Sequence, residues 1–482
     1  MSNGLVALMF FSMAGALLLG FPVGLTLVVH GFAFTLLGAA LDFFPLAMAQ
    51  AHMLRVYGLL FNDMLLAIPF FTLMGLVLER SGIAEEMLGA LSTLLQGARG
   101  GLALAVIIVG TVLAATTGVV QASIIPMGLI ALPAMLRAGY APGLAAGSIA
   151  AAGTLAQLIP PSLVLIVMAD ATGVPIFRLY EKALAPGLLL AGLYMLYVLL
   201  LTRLRPGTAP ARAGAPTLQA VRAALRALAP PALIIAATLG SVLAGVATPT
   251  ESGGFGATAS LALAAGRRRL GLAALRAVVD NTTLISCSTL FVMVGATFFT
   301  LPFNAMDGKT WVSQMLLHLP GGQTGFLVAA MLLVFGLAFF LDYFEIAFLA
   351  LPLLVPAAVA LGIDAAWFAV LVCIALQTSF MHPPFGVALY TLRSVAPPSF
   401  DSRHLYRGAW PFIGLQLLAA ALVIAFPGLS VDLGARQPPP LPADQVEKIL
   451  IDFISAPSAA TTPAPPGSSP AAPPPPQPPP LP

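Results

Sequence analysis

The chain has 482 residues, 59% of them hydrophobic and only 8% charged, with a net charge of +3. Ordinary soluble domains carry roughly 25% charged residues, so this chain cannot cover a water-facing surface, and a soluble enzyme, a disordered regulator and a nucleic-acid binder are excluded. At about 20 apolar residues per crossing plus a loop, the length predicts an all-α polytopic protein of roughly ten to twelve crossings in a lipid bilayer.

At the start, Met1-Ser2-Asn3-Gly4 carries no positive charge before the first apolar run. That run therefore reads as a retained span rather than a cleaved signal. Apolar runs predict spans over about 4–20, 22–41 and 63–80. The next run, about 101–136, is interrupted by Thr116-Thr117-Gly118, and each part is short for a full crossing. It is either a re-entrant hairpin, tolerated where protein or a wet cavity covers the freed backbone, or two ordinary short helices. Spans over about 142–169 and 184–202 follow, the first broken by Pro160-Pro161.

Residues 203–229 hold Arg203, Arg205, Arg212, Arg222 and Arg226 and no acidic residue. Short arginine-rich loops stay cytoplasmic. Further spans are predicted over about 230–247, 250–265 and 283–303, with a second basic loop at Arg267, Arg268, Arg269 and Arg276 between them. A second interrupted run covers about 326–361, broken at Asp342-Tyr343-Phe344-Glu345. Spans over about 365–392, broken at Pro383-Pro384, and 410–427 complete the apolar part. Both cysteines, Cys287 and Cys373, fall in apolar segments and are predicted to be buried free thiols. The tail, 428–482, is rich in proline. It favours a disordered, polyproline-II-like chain that buries no core.

The chain repeats itself. Pro133 and Pro356, Gly139 and Gly362, and the dipeptides Pro160-Pro161 and Pro383-Pro384 each stand 223 residues apart. The division expected is a first repeat over 1–202, a basic cytoplasmic linker over 203–229, a second repeat over 230–427, and the tail. About five spans plus one hairpin per repeat is an odd number of crossings. The two repeats are then inverted relative to each other, with both termini outside. Interrupted segments at corresponding places in two halves point to a transporter binding site.

Polar residues within apolar spans are costly, which makes each a candidate. The first hairpin offers Thr116, Thr117, Gly118, Gln121 and Ser123. The first broken span offers Thr154 and the stretch to Pro160-Pro161-Ser162. Two prolines remove two backbone donors and free the carbonyls one turn back. Freed carbonyls and hydroxyls suit a hard monovalent cation, and half-helix N-termini suit an anion. In the second half the tip carries Asp342 and Glu345, and the break carries Gln377, Thr378, Ser379 and His382. The plainer alternatives stay open: a hydroxyl bonded back to its own helix, a simple proline kink, a hairpin end exposed to water. No HExxH, P-loop or CxxC occurs, and the five histidines are scattered. Catalysis, an organic cofactor, a transition metal and ATP-driven pumping by this chain are not expected.

The chain resembles the large membrane subunit, M, of a tripartite ATP-independent periplasmic (TRAP) transporter over about residues 4–428. The motifs are Leu66-Ala67-Ile68-Pro69-Phe70-Phe71, Ala114-Ala115-Thr116-Thr117-Gly118, Gly153-Thr154-Leu155 to Pro160-Pro161-Ser162, Ala247-Thr248-Pro249-Thr250-Glu251, and Leu376-Gln377-Thr378-Ser379-Phe380 to Pro383-Pro384-Phe385-Gly386. The resemblance implies an elevator-type carrier in a bacterial inner membrane, driven by a sodium gradient. It also implies a small four-span Q subunit and a periplasmic binding protein that delivers an organic anion such as a carboxylate. Carried over, the first sodium site uses Thr116 to Ser123 with Ala156, Ile159 and Pro161. The second uses the Leu341-Asp342 turn with Ser379, His382 and Phe385. Where the family usually has Thr, this chain has His382, and an imidazole cannot replace a hydroxyl oxygen directly. His382 could pack, bond the substrate or titrate. A stand-alone elevator-type anion carrier and a non-transporting membrane scaffold are the competing functions.

Overall fold

Two apolar helices, α1 (Ser2–Leu18) and α2 (Val23–Ala40), open the chain. The computed structural model describes residues 2–210, 217–317, 320–339, 343–383 and 386–430. The amphipathic α3 (Met48–Leu60) follows and exposes Met53, Leu54 and Tyr57. Asn62 then accepts from the Met64 amide, and the chain bends by 53° into α4 (Ala67–Arg80). Gly82 at φ +73° turns the chain into α5 (Ile83–Leu94), a backbone conformation that side chains resist.

The next elements build the site. Helix α6 (Gly101–Thr117) ends on Gly118 at φ +58°, and α7 (Val120–Arg137) packs back against it as a hairpin. Helix α8 (Pro142–Thr154) stops in a 3₁₀ turn, Leu155–Gln157. The chain continues through a cis Pro160-Pro161 bond into the short α9 (Leu163–Thr172) and the long α10 (Ile176–Leu204).

Helix α11 (Leu218–Leu243) starts earlier than hydropathy suggested. The Thr217 hydroxyl accepts from the Ala220 amide and caps it, so Arg222 and Arg226 ride on a helix and not in a loop. In α12 (Pro249–Gly266), Thr248 and Glu251 form a reciprocal capping box. Helix α13 (Leu272–Ala305) is a single 34-residue element, well beyond the expected 283–303. Cys287, on α13, is free and exposed rather than buried, whereas Cys373 is free and buried.

Then come α14 (Gly308–Leu317), α15 (Gly322–Leu337), α16 (Tyr343–Leu349), α17 (Leu351–Ala360) and α18 (Ala365–Leu376). A 3₁₀ turn, Gln377–Phe380, ends α18 before α19 (Val387–Val395) and α20 (Ser402–Ala425). The order interrupted apolar run, broken helix, long helix therefore occurs twice among the described residues, and α8 and α18 begin 223 residues apart. Gly139 and Gly362, which precede them, share positive φ, +81° and +77°.

The described residues form an all-helical protein with no strand among them. Six helices (α2, α7, α10, α11, α13 and α20) are individually long and apolar enough to cross a bilayer; the bent α3–α4 pair makes a seventh. Of the other expected spans, 4–20 and 250–265 are the single helices α1 and α12, while 142–169 and 365–392 are each divided at a proline-rich break. Close backbone approaches hold the helices together, and small residues permit them. A Cβ at Gly31 of α2 would lie 2.2 Å from the Phe298 carbonyl oxygen of α13. Helices α8 and α18 are buried nearly all round, which is why they lack a polar face.

Candidate functional site

A cavity of about 400 Å³ lies where both broken helices meet the hairpin and α13. Gly118, Val119, Val120 and Gln121 line it from the hairpin; Gln157, Leu163 and Val164 line it from the first broken helix. Phe380 and Val387 come from the second broken helix, with Tyr343 beside them. Leu284, Ile285, Ser288, Thr289 and Val292 supply the wall from α13.

Their positions follow from the breaks. Val120, Leu163 and Val387 are the first residues of α7, α9 and α19, so three helix N-termini converge on one cavity. Among the described residues, none of the three has a side-chain cap. The Ser162 hydroxyl, at the N-cap of α9, instead donates to the Gln157 carbonyl at 2.8 Å. The first amides of each helix have no intrahelical acceptor. Together with the helix dipoles they suit an anion. No Lys, Arg, Asp, Glu or His is among the cavity's described lining residues.

The first break also touches the second half of the chain. The Gln157 carbonyl lies 3.5 Å from Cys373 Sγ of α18, and the Tyr343 hydroxyl donates to the Val164 carbonyl. The Gln157 side-chain amide is buried, with neither its nitrogen nor its oxygen bonded among the described residues. The Gln377 amide is in the same condition.

Of the residues singled out in the sequence, Gly118 and Gln121 reach the cavity. Thr116 is buried and bonds back to the Leu113 carbonyl at 2.8 Å. Thr154, Thr378 and Ser379 do the same to Ala151, Ala375 and Leu376. A hydroxyl that donates backwards keeps its lone pairs, so this bonding leaves the oxygen able to accept or to coordinate. Ser123, Ala156, Ile159 and Pro161 are buried around the first break. Leu341, Asp342 and Phe385 lie outside the described residues, as do the side chains of Thr117 and Glu345 and nearly all of the tail. Of the residues that the resemblance implies for a second sodium site, only Ser379 and His382 are described. His382 is buried and stacks on Phe339, with ring centres 4.0 Å apart and planes 22° apart, while Phe335 meets its edge. It does not line the cavity.

The α13 wall was not anticipated. Its signal was present: Leu284, Ile285, Ser288, Thr289 and Val292 recur at the spacing of one helical face, with two hydroxyls in an apolar helix.

Residues 10–429 match the family model described as "Tripartite ATP-independent periplasmic transporter, DctM component". The chain belongs to this family. It is 27% identical over 451 residues to the C4-dicarboxylate TRAP transporter large permease protein DctM of Vibrio cholerae, covering 88% of this chain and 96% of that protein. It is also 27% identical to the ectoine TRAP transporter large permease protein TeaC of Halomonas elongata, covering 89% of this chain and 99% of that one. The fold is similar to the crystal structure of the Alcanivorax borkumensis YdaH transporter. There the TM-score is 0.59 at 18% identity, covering 86% of this chain and 99% of that one. This DctM-family chain is thus a multi-pass membrane protein and a large TRAP permease subunit.

Proposed function

We propose that this chain carries small organic anions across a bacterial inner membrane, driven by the sodium gradient. The observation that carries the reading is the convergence of three helix N-termini on one cavity with no charged residue among its described lining. Each such terminus favours an anion by about 0.3–1 kcal/mol, and by up to about 2 in a partly buried geometry. Three together can hold an anionic group without a lysine or arginine. C4-dicarboxylates and ectoine, named for the relatives, each carry a carboxylate. The coupling sodium ions sit at the breaks, where back-bonded hydroxyls and freed carbonyls offer oxygen ligands. The doubled element order supports an inverted repeat. In the elevator motion, the two hairpins and broken helices move past α2, α4, α12 and α13. A small four-span subunit and a periplasmic binding protein complete the transporter.

The test is uptake into proteoliposomes that contain this chain and the small subunit, with the binding protein and a labelled C4-dicarboxylate outside. An inward sodium gradient should drive accumulation, and dissipating it should abolish accumulation. Accumulation driven equally well by a proton gradient in sodium-free buffer would overturn the sodium coupling. No uptake of any carboxylate or sulfonate would overturn the reading as a whole.

A further inference from the structure

One buried amide joins the two breaks. Gln416, on α20, points its Nε2 at the Tyr194 hydroxyl of α10 (3.0 Å), Thr154 Oγ1 of α8 (3.3 Å) and Met381 Sδ (3.5 Å). All four residues are fully buried. Thr154 is the last residue of α8 before its 3₁₀ turn, and Met381 is the first residue after the 3₁₀ turn that ends α18. The orientation of the amide follows from Thr154. Its own proton goes to the Ala151 carbonyl at 2.8 Å, so its oxygen can only accept, and the NH₂ end of Gln416 must face it.

The platform under this amide is rigid. Two turns earlier on α20, Gly408 packs against Gly143 and Gly147 of α8 at backbone contact. A Cβ at Gly408 would lie 2.0 Å from the Gly143 carbonyl oxygen. Little freedom therefore remains between α20 and α8, and a displacement at either break must be accommodated at Gln416. A side chain shared by two otherwise separate loops, in a low-dielectric interior, is strained or relieved by both.

We infer that Gln416 is a positioning residue that couples the two breaks, so that an ion bound at one alters the affinity of the other. This rests on the reading that the breaks hold coupling ions. Gln416 is not among the cavity's lining residues, so it acts on the ion sites through Thr154 and Met381.

The experiment is sodium-dependent uptake of a labelled C4-dicarboxylate by reconstituted wild type, Gln416→Leu and Tyr194→Phe. Leucine keeps the bulk and removes both donors; phenylalanine removes one acceptor and adds nothing. A lost buried hydrogen bond corresponds to about tenfold in an affinity. Gln416→Leu should raise the half-saturating sodium concentration by about that factor, more than it lowers the maximal rate, and should make the sodium curve less steep. Tyr194→Phe should shift the curve in the same direction by less. A purely structural role would lower the amount of active protein and leave the shape and midpoint of the sodium curve unchanged. That outcome in both variants, with a sodium-dependent wild type, overturns the inference alone. A wild type that ignores sodium overturns the functional reading and the inference with it. If Gln416→Leu does not assemble, Tyr194→Phe decides the matter by itself.

Discussion

Replacing Gly118 with Ala should reduce uptake by at least about tenfold while the protein still inserts and assembles. Gly118 ends α6 at φ +58°, a conformation that costs an L side chain about 1–2 kcal/mol. A Cβ there would lie 2.7 Å from the Leu163 amide nitrogen and 3.2 Å from the Leu163 Cβ. The nearer atom is backbone, so no rotamer change relieves the clash. The variant must push the hairpin tip away from the first amide of α9, one of the three N-termini that face the cavity. Its effect therefore falls on substrate and ion binding before it falls on the fold. Gly118→Val should be worse, because branching at Cβ adds to the strain. Wild-type uptake by the Ala variant would show that the tip and α9 need not touch during transport.

The second large effect is on stability. Gly408 and Gly147 sit where α20 crosses α8; a Cβ at Gly147 would lie 2.2 Å from the Gly408 carbonyl oxygen. Here too backbone meets backbone, so Gly408→Leu must separate two helices that are otherwise in contact. Overpacking of this kind costs about 1–3 kcal/mol and sometimes more. The Leu variant should unfold at a markedly lower temperature in detergent. Combining it with Gly147→Leu should cost less than the two single effects added, because both report one contact. An unchanged melting temperature for Gly408→Leu would mean that this crossing does not hold the helices together.

Much of this architecture could be read from the sequence where one residue type forces one outcome. Thr116-Thr117-Gly118 marked the hairpin turn because glycine takes the left-handed conformation there. Pro160-Pro161 marked a broken helix because neither residue can donate to the helical ladder. Hydropathy failed where helices are amphipathic rather than apolar. Helix α3, with Arg55, and α5, with Glu85 and Glu86, fall between the expected spans. It also failed in α13, where the expected span began only after Asp280 and Asn281. Both are exposed on the helix, and nothing there stops its backbone ladder.

The site was less legible than the fold. Residue type flagged Thr116, Thr154, Thr378 and Ser379, but only coordinates show that each hydroxyl is already bonded to its own helix. The sequence left three roles open for His382. Its stacking on Phe339 and its absence from the cavity's described lining favour packing over contact with the substrate. Gln416 gave no signal, since a lone glutamine in an apolar helix does not announce partners 262 and 222 residues away.

Ser288, on the α13 wall of the cavity, is exposed enough to report on its occupancy. With Cys287 replaced by Ser, Ser288→Cys leaves one exposed thiol, because Cys373 is buried. The measurement is the rate at which a small membrane-impermeant thiol reagent modifies this cysteine in the assembled transporter, with and without saturating C4-dicarboxylate and sodium. A substrate held by the helix N-termini opposite should slow the reaction severalfold, and sodium alone should slow it less. A rate that stays the same with substrate and sodium present, in a preparation that transports, would contradict the assignment of this cavity as the place where the anion binds.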